Sequence, residues 1–269
     1  MRDLADWQEV GEGVFRRRYQ SLNLNVGVVL GADGVLVVDT RASHREAKEL
    51  RDHLGAVTDL PVQWVVNTHW HWDHTFGNAV FPVEIWGHTR CRARLMSEGE
   101  AARVEARSWM PPDRRDELDE VVITPPTNTF SKAKSLDLGG REIRLSFLGL
   151  GHTDNDIVVA IPDAGVVFAG DLVEEGSPPY FGDSYPLSWP AALGRLGRSM
   201  PTVVVPGHGK AVDRRYVAEQ AEMIRRVSEV ARSGHQKGVS WERLVAKGPY
   251  PEATMATALQ RAYLQLSAT

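Results

Sequence analysis

Four side chains of the kinds that bind metal ions lie within six positions of the segment NTHWHWDHTFGN, residues 67–78. They are His69, His71, Asp73 and His74. Imidazole nitrogens and carboxylate oxygens bind zinc, and they also suit iron or manganese. Alternate residues of an extended chain point to the same side, so His69 and His71 are expected to face one ion. The competing interpretation is an aromatic core turn that contains histidines.

The metal interpretation requires further ligands, because one short loop cannot complete the coordination of two ions. Three later positions supply them: His152 in GLGHTDND, Asp171 in VVFAGD and His208 in VVVPGHG. Each follows a glycine that comes after a strand-like run, so we expect each to stand where a strand ends and its loop begins. Three more side chains of the kinds that bind metals, all at predicted strand ends, favour a metal site over an aromatic turn.

The segments around these residues read as alternating strands and helices. VQWVVNT is a strand that leads into the first motif, and Ser43 with Glu46 forms a capping-box pattern before a helix that stops at Gly55. Further helices are predicted at about 90–107, 188–199, 213–230 and in the C-terminal PEATMATALQRAYLQL. Two strand-rich halves, each with helices, predict an α/β fold of two packed sheets covered by helices.

The composition is that of an ordinary globular protein, with 42% hydrophobic and 25% charged residues. A formal net charge of −4 gives no basic field for nucleic acid or anionic lipid, so neither partner is expected. Cys91 is the single cysteine, which excludes an intrachain disulfide. The N-terminal sequence lacks the apolar core of a signal peptide, which favours a cytoplasmic location. The oligomeric state is not predicted.

The motifs THWHWDH, GHT, AGD and PGHG, in this order, resemble those of the metallo-β-lactamase superfamily, over about residues 10–230. The resemblance implies a four-layer αββα sandwich of two mixed sheets, with a metal centre at one edge. We expect one domain over 1–269, with 231–269 as a C-terminal helical extension. The proline-rich segment 108–130 is either a linker or an inserted loop near the site. The ligands that the resemblance implies are His69, His71 and His152 for one ion, Asp73, His74 and His208 for a second, and Asp171 between them.

The resemblance implies a hydrolase in which a hydroxide between two zinc ions attacks a small ester, thioester, lactone or amide. Asp73 or Asp171 would transfer the proton to the leaving group. The alternatives are a mononuclear iron enzyme of the persulfide dioxygenase kind, a β-lactamase and a phosphodiesterase. Because ligands fix the chemistry and pocket walls fix specificity, the substrate itself is not predicted beyond a small molecule.

Several residues near the motifs are expected to support the site or to line it. Asp39 and Asp156 either hold ligand histidines in place or cap the turns in which they lie. Trp70 and Trp72 are expected to pack in the core or in the pocket wall. Tyr180 and Tyr185 either pack half-buried or line the pocket, where a phenol could donate a hydrogen bond to a substrate oxyanion.

Overall fold

A computed structural model describes residues 6–268 as an α/β protein with twelve strands and six helices. The strands of the first half are β1 (Trp7–Gly11), β2 (Val14–Tyr19), β3 (Leu24–Leu30), β4 (Val35–Val38), β5 (Val62–Val66), β6 (Glu84–His88) and β7 (Asn128–Phe130). Those of the second half are β8 (Ala133–Leu138), β9 (Arg141–Phe147), β10 (Ile157–Ile161), β11 (Val166–Glu174) and β12 (Val203–His208). The helices are α1 (His44–Leu54), α2 (Trp72–Thr75), α3 (Thr89–Trp109), α4 (Trp189–Arg198), α5 (Arg214–Gln236) and α6 (Glu252–Ser267).

The strands of each half form their own mixed arrangement. In the first half β4, β5, β6 and β7 run parallel, and β3 pairs antiparallel with β4 across the turn that contains GADG. In the second half β8 to β11 are antiparallel neighbours, and β12 lies parallel to β11. The predicted mixed α/β fold is therefore confirmed.

The two halves meet in the sheet at one residue pair. Strand β12 pairs with β3 through His208 and Leu24, whereas neighbouring strands within each half pair over several residues. His208 is also one of the predicted metal ligands. The edge at which the halves join is thus the edge that carries the candidate site.

Buried apolar side chains form three main layers, as a helix–sheet–sheet–helix order requires. One layer lies between α1 and the first sheet and includes Leu50 and Val65. The middle layer joins the two sheets and contains Leu36 and Leu145. The third layer, which includes Ile224, packs α4, α5 and α6 on the second sheet. This arrangement is consistent with the predicted four-layer sandwich.

The local signals for helices agree with the observed bounds. Ser43 accepts a hydrogen bond from the Glu46 N–H at 3.2 Å and so caps α1, which ends before Gly55. The predicted helix at about 90–107 is α3, and that at 213–230 continues six residues further in α5. No helix within residues 6–268 is long and apolar enough to cross a membrane.

Strand β11 differs from the expectation that its strand ends on Asp171. It continues to Glu174, with a shift in its register against β12 at Gly170. Gly170 has a φ of +52°, and a Cβ there would lie 2.7 Å from Thr68. The carboxylate of Asp171 therefore reaches the site from an irregular point within a strand.

Candidate metal centre

The predicted ligands converge from both halves of the chain. His69 and His71 lie in the turn after β5, and Asp73 and His74 lie in α2, which follows immediately. The second half contributes His152 from the loop after β9, Asp171 from β11 and His208 from the end of β12. Gly207 gives this convergence its room, since a Cβ there would overlap the carboxylate of Asp171.

The seven side chains fall into two groups. Within each group, the ligand atoms all lie within 4.8 Å of one another. The first group is His69, His71, His152 and Asp171, and the second is Asp73, His74 and His208. Asp171 also touches the second group: its Oδ1 lies 3.3 Å from His74 Nε2, and its Oδ2 lies 3.3 Å from His208 Nε2. The Asp171 carboxylate therefore lies between the two groups, where a bridging ligand would stand.

Three buried polar atoms at this convergence have no hydrogen-bond partner: Nε2 of His69, Nε2 of His74 and Oδ1 of Asp171. Leaving a buried donor or acceptor unsatisfied costs about 1–3 kcal/mol. Unsatisfied buried atoms in both ligand groups are the pattern expected of metal ligands. The donor set of imidazoles and carboxylates fits zinc, and it also fits iron or manganese.

The other ring nitrogen of each histidine is already engaged. His69 Nδ1 contacts Thr68 Oγ1 at 3.1 Å, and His74 Nδ1 contacts Asp39 Oδ2 at 2.8 Å. Nδ1 of His152 and of His208 lie 3.2 and 2.7 Å from the carbonyl oxygens of Tyr180 and Leu22, respectively. Such contacts fix the tautomer, so each of these four histidines presents Nε2 to the centre.

His71 is oriented the other way round, and an unpredicted residue accounts for it. Its Nε2 lies 3.0 Å from Asp183 Oδ1, while its Nδ1 lies 2.9 Å from His152 Nε2. The other carboxylate oxygen, Asp183 Oδ2, accepts a hydrogen bond from Trp70 Nε1 at 3.0 Å and lies 3.5 Å from Arg94. Asp183 therefore holds a candidate ligand and a cavity wall residue at the same time.

The two predicted supporting aspartates do different work. Asp39, with a φ of +64°, accepts hydrogen bonds from the N–H and hydroxyl of Thr68 as well as contacting His74. Asp156 instead accepts both of its short hydrogen bonds from Thr153, at 2.7 Å each. Asp39 thus lies directly behind the ligands, while Asp156 closes the turn that follows His152.

The pKa values of the candidate ligand histidines are shifted in opposite directions by burial and by the nearby carboxylates. Burial lowers the pKa of His152 to about 4 and holds the pKa of His69 well below its usual range. Burial acts the same way on His74, but Asp171 and Asp73 outweigh it and raise the pKa of His74 well above the usual value. The carboxylates therefore create a field that favours positive charge at the centre.

A cavity of about 790 Å³ opens above the ligands. Trp70, Trp72 and Tyr180, three of the candidate wall residues, line it. Tyr185 lies outside this lining, and its ring is 5.8 Å from the guanidinium of Arg261. Trp109, which the sequence did not single out, lies at the C-terminal end of α3 and lines the cavity.

The segment 108–130 contributes to the cavity through its beginning only, among the lining residues that the structure describes. Its Pro112–Leu118 turn packs towards α1, where Arg114 contacts Glu46 at 2.7 Å. The C-terminal extension also reaches the site, since Ala253, Thr254 and Thr257 of α6 line the cavity.

Comparison with known protein families finds a match that covers the candidate metal centre. The family model described as "Metallo-beta-lactamase superfamily" matches residues 22–208, a range that contains all seven converging side chains. The chain belongs to this superfamily. The prediction made from the motifs is therefore confirmed.

Proteins similar in sequence to this chain are named for different enzymatic activities. It is 24% identical over 168 residues to a metallo-beta-lactamase type 2 of Bacteroides fragilis, covering 60% of this chain and 66% of that protein. It is 25% identical over 192 residues to the human acyl-coenzyme A thioesterase MBLAC2, covering 63% of this chain and 67% of that protein. The names agree with the prediction of a hydrolase and differ in the bond that is cleaved.

A solved structure shares the fold over almost the whole chain. The inverting sec-alkylsulfatase Pisa1 from Pseudomonas sp. superposes with a TM-score of 0.78 at 16% identity. The match covers 97% of this chain and 50% of the alkylsulfatase. The chain thus spans half of that protein and about two thirds of the lactamase and the thioesterase. At this identity the likeness establishes the fold.

Proposed function

We propose that the protein is a hydrolase that uses two zinc ions to cleave a small ester, thioester, lactone or amide. The observation that carries this proposal is the convergence of seven ligand side chains in two groups around unsatisfied buried atoms. A structural zinc site is normally closed by four ligands. Two groups that share Asp171 and open into a cavity favour a reactive pair of ions over a structural one.

In this proposal His69, His71 and His152 would hold the first ion, Asp73, His74 and His208 would hold the second, and Asp171 would serve both. When bound, the two ions supply Lewis acidity and lower the pKa of water towards neutrality. The outer nitrogens of His74, His152 and His208 lie against fixed acceptors, which orients the other nitrogen of each ring for metal binding. The carboxylate of Asp183 keeps Nδ1 of His71 directed at the centre.

Asp73 is the better placed of the two aspartates to carry the proton. Its side chain is 12% exposed, against 6% for Asp171, and both line the cavity. Asp73 Oδ2 lies 3.3 Å from His208 Nε2 and 3.5 Å from His74 Nε2. A carboxylate on the cavity side can accept a proton during attack and return it to the leaving group.

The test is a hydrolysis panel on protein whose metal content has been measured. It should include aryl esters, lactonoyl-glutathione, homoserine lactones, nitrocefin and bis(p-nitrophenyl) phosphate. We expect two zinc ions per chain and cleavage of at least one carbonyl substrate. The variant His152→Ala should lose this activity, while His235→Gln, at an exposed position on α5, should keep it. One iron per chain, with oxygen uptake on glutathione persulfide, would contradict the proposal.

A further inference from the structure

The cavity above the ligands is lined by many carboxyl groups and few cations. Besides the ligand aspartates, five acidic side chains line it: Glu98, Glu105, Glu174, Glu175 and Asp183. Within the described lining, Arg94 supplies the single guanidinium, and no lysine is present. Away from the ligands, acidic side chains therefore outnumber basic ones along the cavity lining, which favours a cationic over an anionic group there.

The guanidinium of Arg94 is already neutralised by its neighbours. It lies 3.1 Å from Glu98, 3.5 Å from Asp183 and 3.6 Å from Asp154, and it covers the ring of Trp70 at 5.1 Å. An anionic group of a substrate would have to displace these carboxylates. Arg94 thus offers a poor site for a sulfate, phosphate or carboxylate.

One face of α3 runs along the cavity and ends in exposed aromatic surface. Glu98, Ala102, Glu105 and Trp109 follow one another at helical spacings, and all four line the cavity. Trp109 is 55% exposed, and its ring meets that of Tyr180 edge to face at 6.2 Å. We call Glu105, Trp109 and Tyr180 the α3 subsite.

The α3 subsite lies next to the candidate ligands. The ring of Tyr180 is 6.0 Å from the ring of His71, and its hydroxyl donates to Glu105 Oε1 at 3.2 Å. Tryptophan and tyrosine rings beside a carboxylate form the kind of surface that binds organic ammonium groups. A short linker would connect a group bound here with a carbonyl at the ligands.

The α3 subsite and the candidate ligands line the same cavity. Asp171 lines the cavity, is 5% exposed, and has an Oδ1 with no hydrogen-bond partner. Resting on the proposed hydrolase function, we propose that the substrate carries an organic ammonium group. This group lies in the α3 subsite while the scissile carbonyl lies over the ligands.

Three matched p-nitrophenyl esters test this charge preference. The cationic one is the 4-(trimethylammonio)butyrate, its neutral isostere is the 5,5-dimethylhexanoate, and the anionic one is the mono-ester of adipate. With zinc-loaded protein we expect kcat/KM for the cationic ester to exceed that of the isostere about tenfold, as one exposed cation–π contact and one exposed ion pair would give. Equal values, or preference for the adipate ester, would overturn the proposal.

Variants then locate the preference. Glu105→Gln and Trp109→Leu should each lower the ratio of cationic to neutral kcat/KM about threefold or more. Glu100→Gln is the matched control, because Glu100 is on the same helix, pairs with Arg103 at 2.9 Å and lies outside the cavity lining. It should keep the ratio. Circular dichroism and zinc content establish that each variant is folded and loaded.

A binding measurement separates this inference from the hydrolase proposal. Calorimetric titration should give tighter binding of phenyltrimethylammonium than of benzenesulfonate, with the difference reduced in Glu105→Gln. If no ester is cleaved but this preference is present, the hydrolase proposal fails and the cation subsite stands. If esters are cleaved and benzenesulfonate binds as well as the cation, the subsite fails and the hydrolase stands.

Discussion

Replacing Asp183 by asparagine tests whether this carboxylate holds the metal centre together. The side chain keeps its size and loses its charge, and the amide nitrogen is a donor where Trp70 Nε1, at 3.0 Å, and Arg94, at 3.5 Å, also donate. The backbone carbonyl of Asp183, which accepts from Arg261 at 3.1 Å, is unchanged, so the loop should remain docked on α6.

The expected loss is in metal affinity. Removing an outer partner of a ligand histidine typically weakens metal binding about 10- to 100-fold. That corresponds to about 1.4–2.7 kcal/mol. Asp183 is the outer partner of His71, at 3.0 Å, and fixes which of its nitrogens faces the centre. We therefore expect Asp183→Asn to bind its first zinc ion at least tenfold more weakly than the unmodified protein.

Competition for zinc against a chromophoric chelator measures this affinity directly, without reference to activity. Asp154→Asn is the control, because Asp154 lies 3.6 Å from the same guanidinium of Arg94, and its carboxylate accepts a hydrogen bond from Asn155 rather than from a candidate ligand. It should change the affinity less than twofold, as expected for a partly exposed ion pair. Equal losses in the two variants would refute the role given to Asp183.

Three further expectations follow from the described contacts. Chelation of bound metal should lower Tm by about 10 °C, because a ligand present at a thousand times its Kd raises the free energy of unfolding by about 4 kcal/mol. An unchanged Tm in calorimetry would contradict the site. Ser43→Ala removes the cap of α1 and a hydrogen bond to Glu117 at 2.7 Å, and should cost about 1–2 kcal/mol in urea unfolding; a cost below about 0.3 kcal/mol would speak against it. Cys91 is fully buried, and burial raises its pKa well above the usual value, so DTNB should label it only after denaturation; rapid labelling of folded protein would count against this burial.

The ligand positions could be predicted because their residue types and spacing are themselves the signal. His69 and His71 are two positions apart on extended chain, and His208 closes a β-branched run. Asp183 could not be found this way, because it lies 112 positions from His71 in a loop without periodicity. A carboxylate that acts through a contact in space leaves no pattern along the chain.

The wall of the cavity was only partly predictable for a similar reason. The sequence left open whether Trp70, Trp72 and Tyr185 pack in the protein or line a pocket; the two tryptophans line the cavity, and Tyr185 lies outside its lining. The face of α3 with Glu98, Glu105 and Trp109 does carry a helical spacing. Sequence alone does not say whether such a charged face meets solvent or a cavity, because tertiary packing decides it.

The single pairing of His208 with Leu24 has a mechanical consequence. Four of the converging side chains belong to the first half of the chain and three to the second, so bound ions would link the two halves. Without metal, the amide hydrogens at the junction of β3 and β12 should exchange faster than those in the interior of either sheet. Loading with metal should slow exchange at Leu24 and His208 while leaving Leu36 and Leu145 nearly unchanged. Bound ions would thereby also oppose separation of the two halves along this edge.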